Sequence, residues 1–424
     1  MKQALRCGCP PSRIIFDSPC KSPSELEFAL RKGIAVNANS YAEVEKIAAI
    51  LTVLQSECVS SKSVIGLRVN PMVGAGNIAA LSTATVTSKF GVPCKYSDQV
   101  DATTVPVGRQ DLYEEIIHVY LKHPFLTCIM CHVGSQGMPI ESMVEGVQCI
   151  LTLADTIDFR CQTAGERQNR ITHVDIGGGL SANYDTDEVS PTFQEYAQKI
   201  ASICENSLRQ GAHRVYMTEF GKALVAKCGA IVTKVEECRE FTALVPTTAT
   251  NQGKNMLAVV QAGADLLLRT CYCPDKFPHR IKLLNAHKQL LTTTSSSIST
   301  SNETNCVWSH SPNPSRPVAN VTVAGPLCFS GDVLAKEISL PEPVAGDIAV
   351  LLDCGANTLS IFSRHCSRMS PAVYAFRRVH LQTPSMGQLD CNDSLNSEIG
   401  SRESVVVACI RPKETEEELL HFWG

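Results

Sequence analysis

Short apolar runs alternate with amphipathic stretches through the first half of the chain. RIIFDS (13–18) is apolar and β-branched, and SPSELEFALRKG follows it. That second segment opens on Ser and Pro, carries Glu in its first turn and stops at Gly33, which are helix start and stop signals. IAVNANS (34–40) then precedes YAEVEKIAAILTVL, where Val44, Ile47, Ala48 and Leu51 recur at helical spacing. VIGLRVNP (64–71), FLTCIMCHVGS (125–135), ITHVDIGGG (171–179) and RVYMTEFG (214–221) are four more candidate strands. Between them lie helical patterns such as PIESMVEGVQCILTLADTI and PTFQEYAQKIASICENSL. Continuous apolar strands separated by helices predict parallel βα units buried on both faces. Polar residues gather at the C-terminal ends of these strands, where a (β/α)8 barrel puts its active site. A barrel needs eight strands, so the six found by residue 221 leave it two short at the front.

The pattern changes after about residue 224. ALVAKCGAIVTKVEECRE, MLAVVQAGADLLL, VANVTVAGP, DIAVLLDCGAN and VVVACIRP predict a second, mostly antiparallel β domain. The expected organisation is therefore a TIM-type barrel over 1–224 and a β domain over 225–424. A Ser/Thr-rich insertion at about 288–317 reads as disordered, and a similar polar stretch runs from about 381 to 403. The ending, ETEEELLHFWG, reads as a short terminal helix.

Composition narrows the function classes. Of 424 residues, 44% are hydrophobic and 19% charged, which allows a large core and excludes global disorder. Thirty-eight basic against 42 acidic residues leave a net charge of −4, so nothing favours a nucleic-acid or anionic-membrane partner. No apolar run approaches the ~20 residues that span a bilayer. The opening MKQALRCGCPPSR has no apolar core of the signal-peptide kind, and a cytoplasmic protein is expected. Twenty cysteines are scattered through ordinary apolar segments. Cys7/Cys9 and Cys271/Cys273 are CxC pairs, without the spacing of a zinc site, and no metal is expected. Buried reduced thiols are one reading of so many cysteines, and a disulfide or metal framework is the other.

Three motifs end predicted barrel strands. HVGSQ (132–136) offers an imidazole and a hydroxyl. GGG (177–179) is either a plain tight turn or a loop whose backbone N–H groups approach an anion closely. TEFGK (218–222) places a carboxylate and a cation one turn apart. GPLCFSGD (325–332) and DCGANT (353–358) follow in the β region.

In this order the motifs resemble one family, the alanine-racemase-fold (fold-type III) pyridoxal-phosphate decarboxylases of diaminopimelate, ornithine, lysine and arginine. RVNP (68–71), SKFG (88–91) and the ending IRPKETEEELLHFWG resemble the diaminopimelate branch most. The resemblance implies a pyridoxal 5′-phosphate cofactor, a small amino-acid substrate and a homodimer with shared active sites. It implies that Glu219 faces the cofactor's pyridine nitrogen and that His132 stacks on its ring. Ser135 would lie at the cofactor's edge, and Gly177, Gly178, Gly179, Gly221, Lys222 and Asn357 would surround its phosphate. Cys328 would enter from the partner subunit as a general acid, and Phe329 would stand beside the substrate. Lys89 and Asp332 would pair across the dimer interface as a surface contact.

Four departures accompany the resemblance. The family's Schiff-base lysine ends its first barrel strand, and the resemblance implies that strands one and two lie upstream of Met1. Lys21 is the lysine at the rim near the start, and it reads as a loop residue. The family's EPGR is EFGK here, so a bidentate arginine becomes a point charge at Lys222. Phe329 replaces the acid that in diamino-acid enzymes recognises the distal ammonium, and Asn357 replaces a tyrosine. The expected function is pyridoxal-phosphate-dependent decarboxylation of an amino acid, similar to that of diaminopimelate. The alternative is a non-catalytic homologue that acts by binding, in the manner of antizyme inhibitors.

Overall fold

The alternating segments of the first half become βα units of one parallel sheet in a computed structural model. The structure describes residues 1–95, 111–166, 169–241, 254–293, 313–381 and 402–424. Contacts divide the chain into two units, Met1–Ala230 with Leu352–Ala356, and Ile231–Leu351 with Asn357–Gly424.

The first unit runs α1 (Lys2–Arg6), β1 (Ile15–Asp17), α2 (Pro23–Lys32), β2 (Ala35–Ala38), α3 (Tyr41–Ser56), β3 (Ile65–Asn70), β4 (Val92–Pro93) and α4 (Leu112–Lys122). It continues through β5 (Leu126–Met130), α5 (Ile140–Thr163), β6 (His173–Asp175), α6 (Phe193–Ile203), α7 (Glu205–Gln210), β7 (Val215–Met217) and α8 (Gly221–Val225). The sheet order is β1-β2-β3-β5-β6-β7, with β4 paired to β3 beside that path. Every pairing in it is parallel. All six strands expected from the apolar runs are present in sequence order, as a winding barrel sheet requires.

Local chemistry explains the helix boundaries. Ser22 caps α2 by accepting from Glu25 N, and Glu25 accepts from Ser22 N at 2.8 Å, while the left-handed Gly33 ends the helix. Thr192 and Glu195 repeat the arrangement at α6. Leu26, Leu30, Ile47, Leu67, Ile116, Ile129, Ile150 and Val174 are fully buried between helices and sheet. One buried carboxylate aligns two strands: Asp158 of α5 accepts from Ile171 N at 2.8 Å, before β6, and from Arg214 Nη2 at 2.7 Å, before β7.

The second unit contains β8 (Ile231–Glu240), β9 (Lys254–Val260), α9 (Leu268–Tyr272), β10 (Ile281–Leu284), β11 (Thr292–Thr293), β12 (Ser315–Arg316), β13 (Val318–Ala324), β14 (Val333–Pro341) and β15 (Ile348–Leu351). It closes with the hairpin β16 (Val373–Leu381) and β17 (Arg402–Arg411), then α10 (Glu416–Trp423). Its main sheet has the order β10-β15-β8-β9-β13-β14, antiparallel except for β9 with β13. Most of the expected Ser/Thr-rich insertion (294–312) and the second polar stretch (382–401) lie outside the described residues.

No helix among the described residues is long and apolar enough to cross a membrane. No group of three or more His, Cys, Asp or Glu among them could hold a metal ion. The described cysteines contain no disulfide, but they are not uniformly buried: Cys7, Cys20, Cys58 and Cys228 are among the exposed ones.

Candidate active site

The C-terminal ends of β5, β6 and β7 converge. His132 and Ser135 follow β5, Gly177–Gly179 follow β6, and Glu219 and Lys222 follow β7. Backbone and side chains knit the three loops together. Gly178 N donates to His132 Nδ1 at 3.0 Å, and Glu219 N donates to the Gly177 carbonyl at 2.7 Å. Gly177 N donates to Asp175 Oδ1 at 2.9 Å. The Lys222 ammonium donates to the Ser135 hydroxyl.

Backbone contacts exclude a side chain at the first two glycines. A Cβ on Gly177 would lie 2.5 Å from the Cys131 carbonyl oxygen, and one on Gly178 would lie 2.5 Å from the Glu219 carbonyl oxygen. Gly177 also sits at φ +67°, a left-handed conformation that penalises any side chain. GGG is therefore not a plain turn: its backbone is pressed against both neighbouring loops. Gly177→Ala is expected to destabilise the chain by about 2–4 kcal/mol, from the collision and the left-handed φ together. Urea denaturation checks this, and an unchanged midpoint would overturn the steric account.

A cluster of charges lies beneath these loops. Arg68 of β3 pairs with Asp17 of β1 at 2.7 Å and sets its guanidinium 4.4 Å from the Phe90 ring centroid. Burial pushes the Glu219 carboxyl up to about 8. The Asp175 and Asp17 charges act in the same direction, and Arg68 opposes them. Asp175, itself raised to about 6 mainly by burial, hydrogen-bonds to Glu219, so the two carboxyls hold a proton between them at neutral pH. Burial, with Arg68 and Lys222 nearby, drives His132 down to about 4. The imidazole is thus neutral, and because Nδ1 accepts from Gly178 the ring proton resides on Nε2.

Sequence reasoning missed Asp17, Arg68 and Asp175 as members of this site, together with Asn37, whose Nδ2 donates to Asp175 Oδ2 at 3.4 Å. Lys21, read as a loop residue, does lie in the loop between β1 and α2, and it is buried there, 3% exposed. Its ammonium donates to the Ser18 and Asn37 carbonyls at 2.7 Å each and to Glu43 Oε2 at 2.8 Å. Three acceptors for three protons make it a structural clamp between β1, β2 and α3.

The remaining expected site residues are placed as follows. Lys89 is exposed in the first unit, and its carbonyl accepts from Asn39 Nδ2 at 3.0 Å. Cys328 is exposed in the second unit, and contact with the Cys366 thiol holds its pKa above the ordinary cysteine value. Phe329 is stacked between Tyr272 (6.3 Å between ring centroids) and His365 (5.5 Å). Asn357 adopts φ +53°, a conformation asparagine tolerates better than a bulky side chain does. Asp332 is not a surface carboxylate. It is 3% exposed and accepts from Ala264 N at 2.6 Å and Leu327 N at 2.7 Å. Its oxygens lie where side chains on Gly263 and Gly325 would have to go. This aspartate therefore fixes the loop that carries Cys328.

Residues 1–226 match the family model for the pyridoxal-dependent decarboxylase pyridoxal binding domain. The chain is 26% identical over 381 residues to diaminopimelate decarboxylase of Methanothermobacter thermautotrophicus, covering 88% of this chain and 72% of that one. It is 28% identical over 374 residues to the Helicobacter pylori diaminopimelate decarboxylase, covering 86% and 73%. The crystal structure of Helicobacter pylori diaminopimelate decarboxylase complexed with L-lysine superposes with a TM-score of 0.67 at 23% identity, covering 100% of this chain and 81% of that one. The family match spans the whole parallel sheet and the loops after β5, β6 and β7, so this chain belongs to the pyridoxal-dependent decarboxylases.

Proposed function

We propose that the chain decarboxylates an amino acid with pyridoxal phosphate, and that a diamino acid of the diaminopimelate type is the first substrate to test. The observation that carries this reading is the convergence of His132, Gly177–Gly179, Glu219 and Lys222 at three adjacent strand ends. The residues fit the cofactor. Gly179 N donates to nothing among the described residues, and Asp17 Oδ1 and Arg68 Nη2 are buried without a hydrogen-bond partner. A Cβ on Gly178 would collide with the Glu219 carbonyl oxygen at 2.5 Å, so the backbone beside His132 stays bare.

When bound, pyridoxal phosphate supplies an electron sink for the pair of electrons left as carbon dioxide departs. Gly179, Lys222 and Ser135 would hold its phosphate by an N–H, a positive charge and a hydroxyl. The neutral His132 face would stack on its ring without adding charge. Glu219 would hold a proton at its carboxyl for an acceptor nitrogen, because its pKa of about 8 keeps it protonated at neutral pH. Cys328 Sγ would supply the proton that replaces the departing carboxylate. We further propose a homodimer in which this cysteine acts in the partner's site. Phe329 in its aromatic stack offers no charge to a distal ammonium, which supports a substrate whose distal group is read differently from that of the diamino-acid enzymes.

Cys328→Ala is expected to lower the rate of carbon dioxide release about 100-fold or more, as loss of a general acid does, while the absorbance of bound cofactor stays unchanged. Loss of both signals together would remove Cys328 from this role. No cofactor absorbance and no carbon dioxide from any amino acid tested would sink the whole reading. The second reading is a non-catalytic homologue that acts by binding. Tight cofactor binding without turnover would support that second reading.

A further inference from the structure

Two cysteines remote in sequence meet at the side of the parallel sheet. Cys94 follows β4 directly, is 4% exposed, and donates its N–H to the Asn70 carbonyl at 3.2 Å. Cys149 lies 55 positions later, within α5, and is partly exposed. Their sulfurs are 3.2 Å apart. The neighbouring pair fixes the same register independently: Lys95 Nζ lies 3.4 Å from Glu145 Oε1, one helical turn before Cys149. A disulfide has an S–S length of about 2.05 Å, so closing this pair needs a shift of roughly 1 Å.

We propose that Cys94 and Cys149 are an oxidative modification site that closes reversibly to a disulfide in the presence of a low-molecular-weight disulfide such as glutathione disulfide. The steps balance. The Cys149 thiolate attacks one sulfur of glutathione disulfide, the glutathione S–S bond breaks, and one glutathione thiolate leaves. Cys94 then loses its proton and attacks the Cys149 sulfur of the mixed disulfide, and the second glutathione leaves as a thiolate. Two protein thiols are oxidised by two electrons, and one glutathione disulfide is reduced to two glutathione thiols.

The order of attack follows from exposure and charge. Cys149 is the partner that solvent reaches. The Cys94 thiol, with Lys95 beside it, lowers the Cys149 pKa, while the same contact and burial raise that of Cys94. The bond would fasten to α5 the segment that also carries Phe90, the ring over Arg68, and Gly91, whose N–H donates to Asn39 Oδ1 at 2.9 Å. The oxidised form would therefore hold one wall of the charge cluster in place.

The test uses the full chain incubated with glutathione disulfide, alkylated, digested without reduction and mapped by mass spectrometry. The expected result is a peptide containing Cys94 joined to one containing Cys149, reversed by dithiothreitol. In Cys94→Ser, glutathione should remain on Cys149, and in Cys149→Ser, Cys94 should be recovered as a thiol. The oxidised wild type should melt at a higher temperature than the reduced form, and Cys149→Ser should show no such shift. Cys94 recovered as a thiol in oxidised wild type, while exposed Cys7 and Cys58 carry glutathione, would overturn the proposal. So would a bond from Cys149 to Cys131, whose buried sulfur lies on the same side of α5.

Discussion

Replacing Glu219 with glutamine is expected to stabilise the cofactor-free chain by about 2–4 kcal/mol at alkaline pH and to change little in acid. The sign follows from the direction of the shift. The Glu219 carboxyl titrates at about 8 in the folded chain, above its ordinary 4.5. Between these two values the folded state binds a proton that the unfolded state has released. Stability from this group is thus fully present below about 4.5 and is lost as pH rises through about 8. Asp175, raised to about 6, adds a loss of the same sign over a lower window. Glutamine removes the ionisation and keeps the shape, so the variant's stability should decline less steeply from mildly acidic to alkaline pH. Urea midpoints for both chains across that range measure the difference, and parallel curves would show that Glu219 is not the strained acid. The same substitution should weaken cofactor-dependent turnover, because an amide can donate a hydrogen bond to an acceptor nitrogen but cannot give up its proton to it. A residue whose removal stabilises the fold and harms the chemistry is one placed for function.

Much of this site was legible because its residues sit where apolar strands stop. HVGSQ, GGG and TEFGK each end such a run, and parallel βα units bring successive strand ends together. The strands were legible for the same reason: β3 is IGLRVN, buried at every position. The buried charges were not legible, because each is a single residue inside an apolar run. Arg68 in LRV and Asp17 in FDS break the pattern, and a charge in a strand covered on both faces requires a partner. That requirement was a usable signal. It could show that Arg68 needs a carboxylate, but not that the carboxylate comes from β1, since pairing across β1, β2 and β3 is a property of the folded sheet. Strand β4 was missed because two residues, Val92 and Pro93, carry no periodicity. Asp332 was misread because its partners are backbone N–H groups, which no side-chain pattern records. Gly325, seven residues before it, was the available hint, since a Cβ there would meet the Asp332 carboxylate.

Arg68→Met is expected to cost about 3–5 kcal/mol at neutral pH, and adding Asp17→Asn should recover most of it. The guanidinium is 3% exposed and 2.7 Å from Asp17 Oδ2. Burial raises the pKa of Asp17 and of Glu219, and Arg68 opposes both shifts. Removing it leaves Asp17, Asp175 and Glu219 close together with no positive charge in the pair position, so the chain must either bury repelling carboxylates or take up protons. The single variant should therefore be rescued by acid, and its deficit should shrink as pH falls. In the double variant the main uncompensated charge is gone, so its stability should depend less on pH than that of Arg68→Met. A double-mutant cycle over the two positions, read by urea denaturation, isolates the pair from its surroundings. A double variant no more stable than Arg68→Met would mean that Asp17 is not the charge Arg68 balances. A remaining deficit of about 1 kcal/mol is expected even after rescue, because methionine cannot replace the guanidinium over the Phe90 ring. His132 provides the second readout: with Arg68 gone, its pKa should rise from about 4 toward the ordinary imidazole value, since a positive charge that opposed its protonation has left. That shift is visible by NMR in the cofactor-free chain and separates the electrostatic role of Arg68 from mere packing, which would leave the imidazole titration where it was.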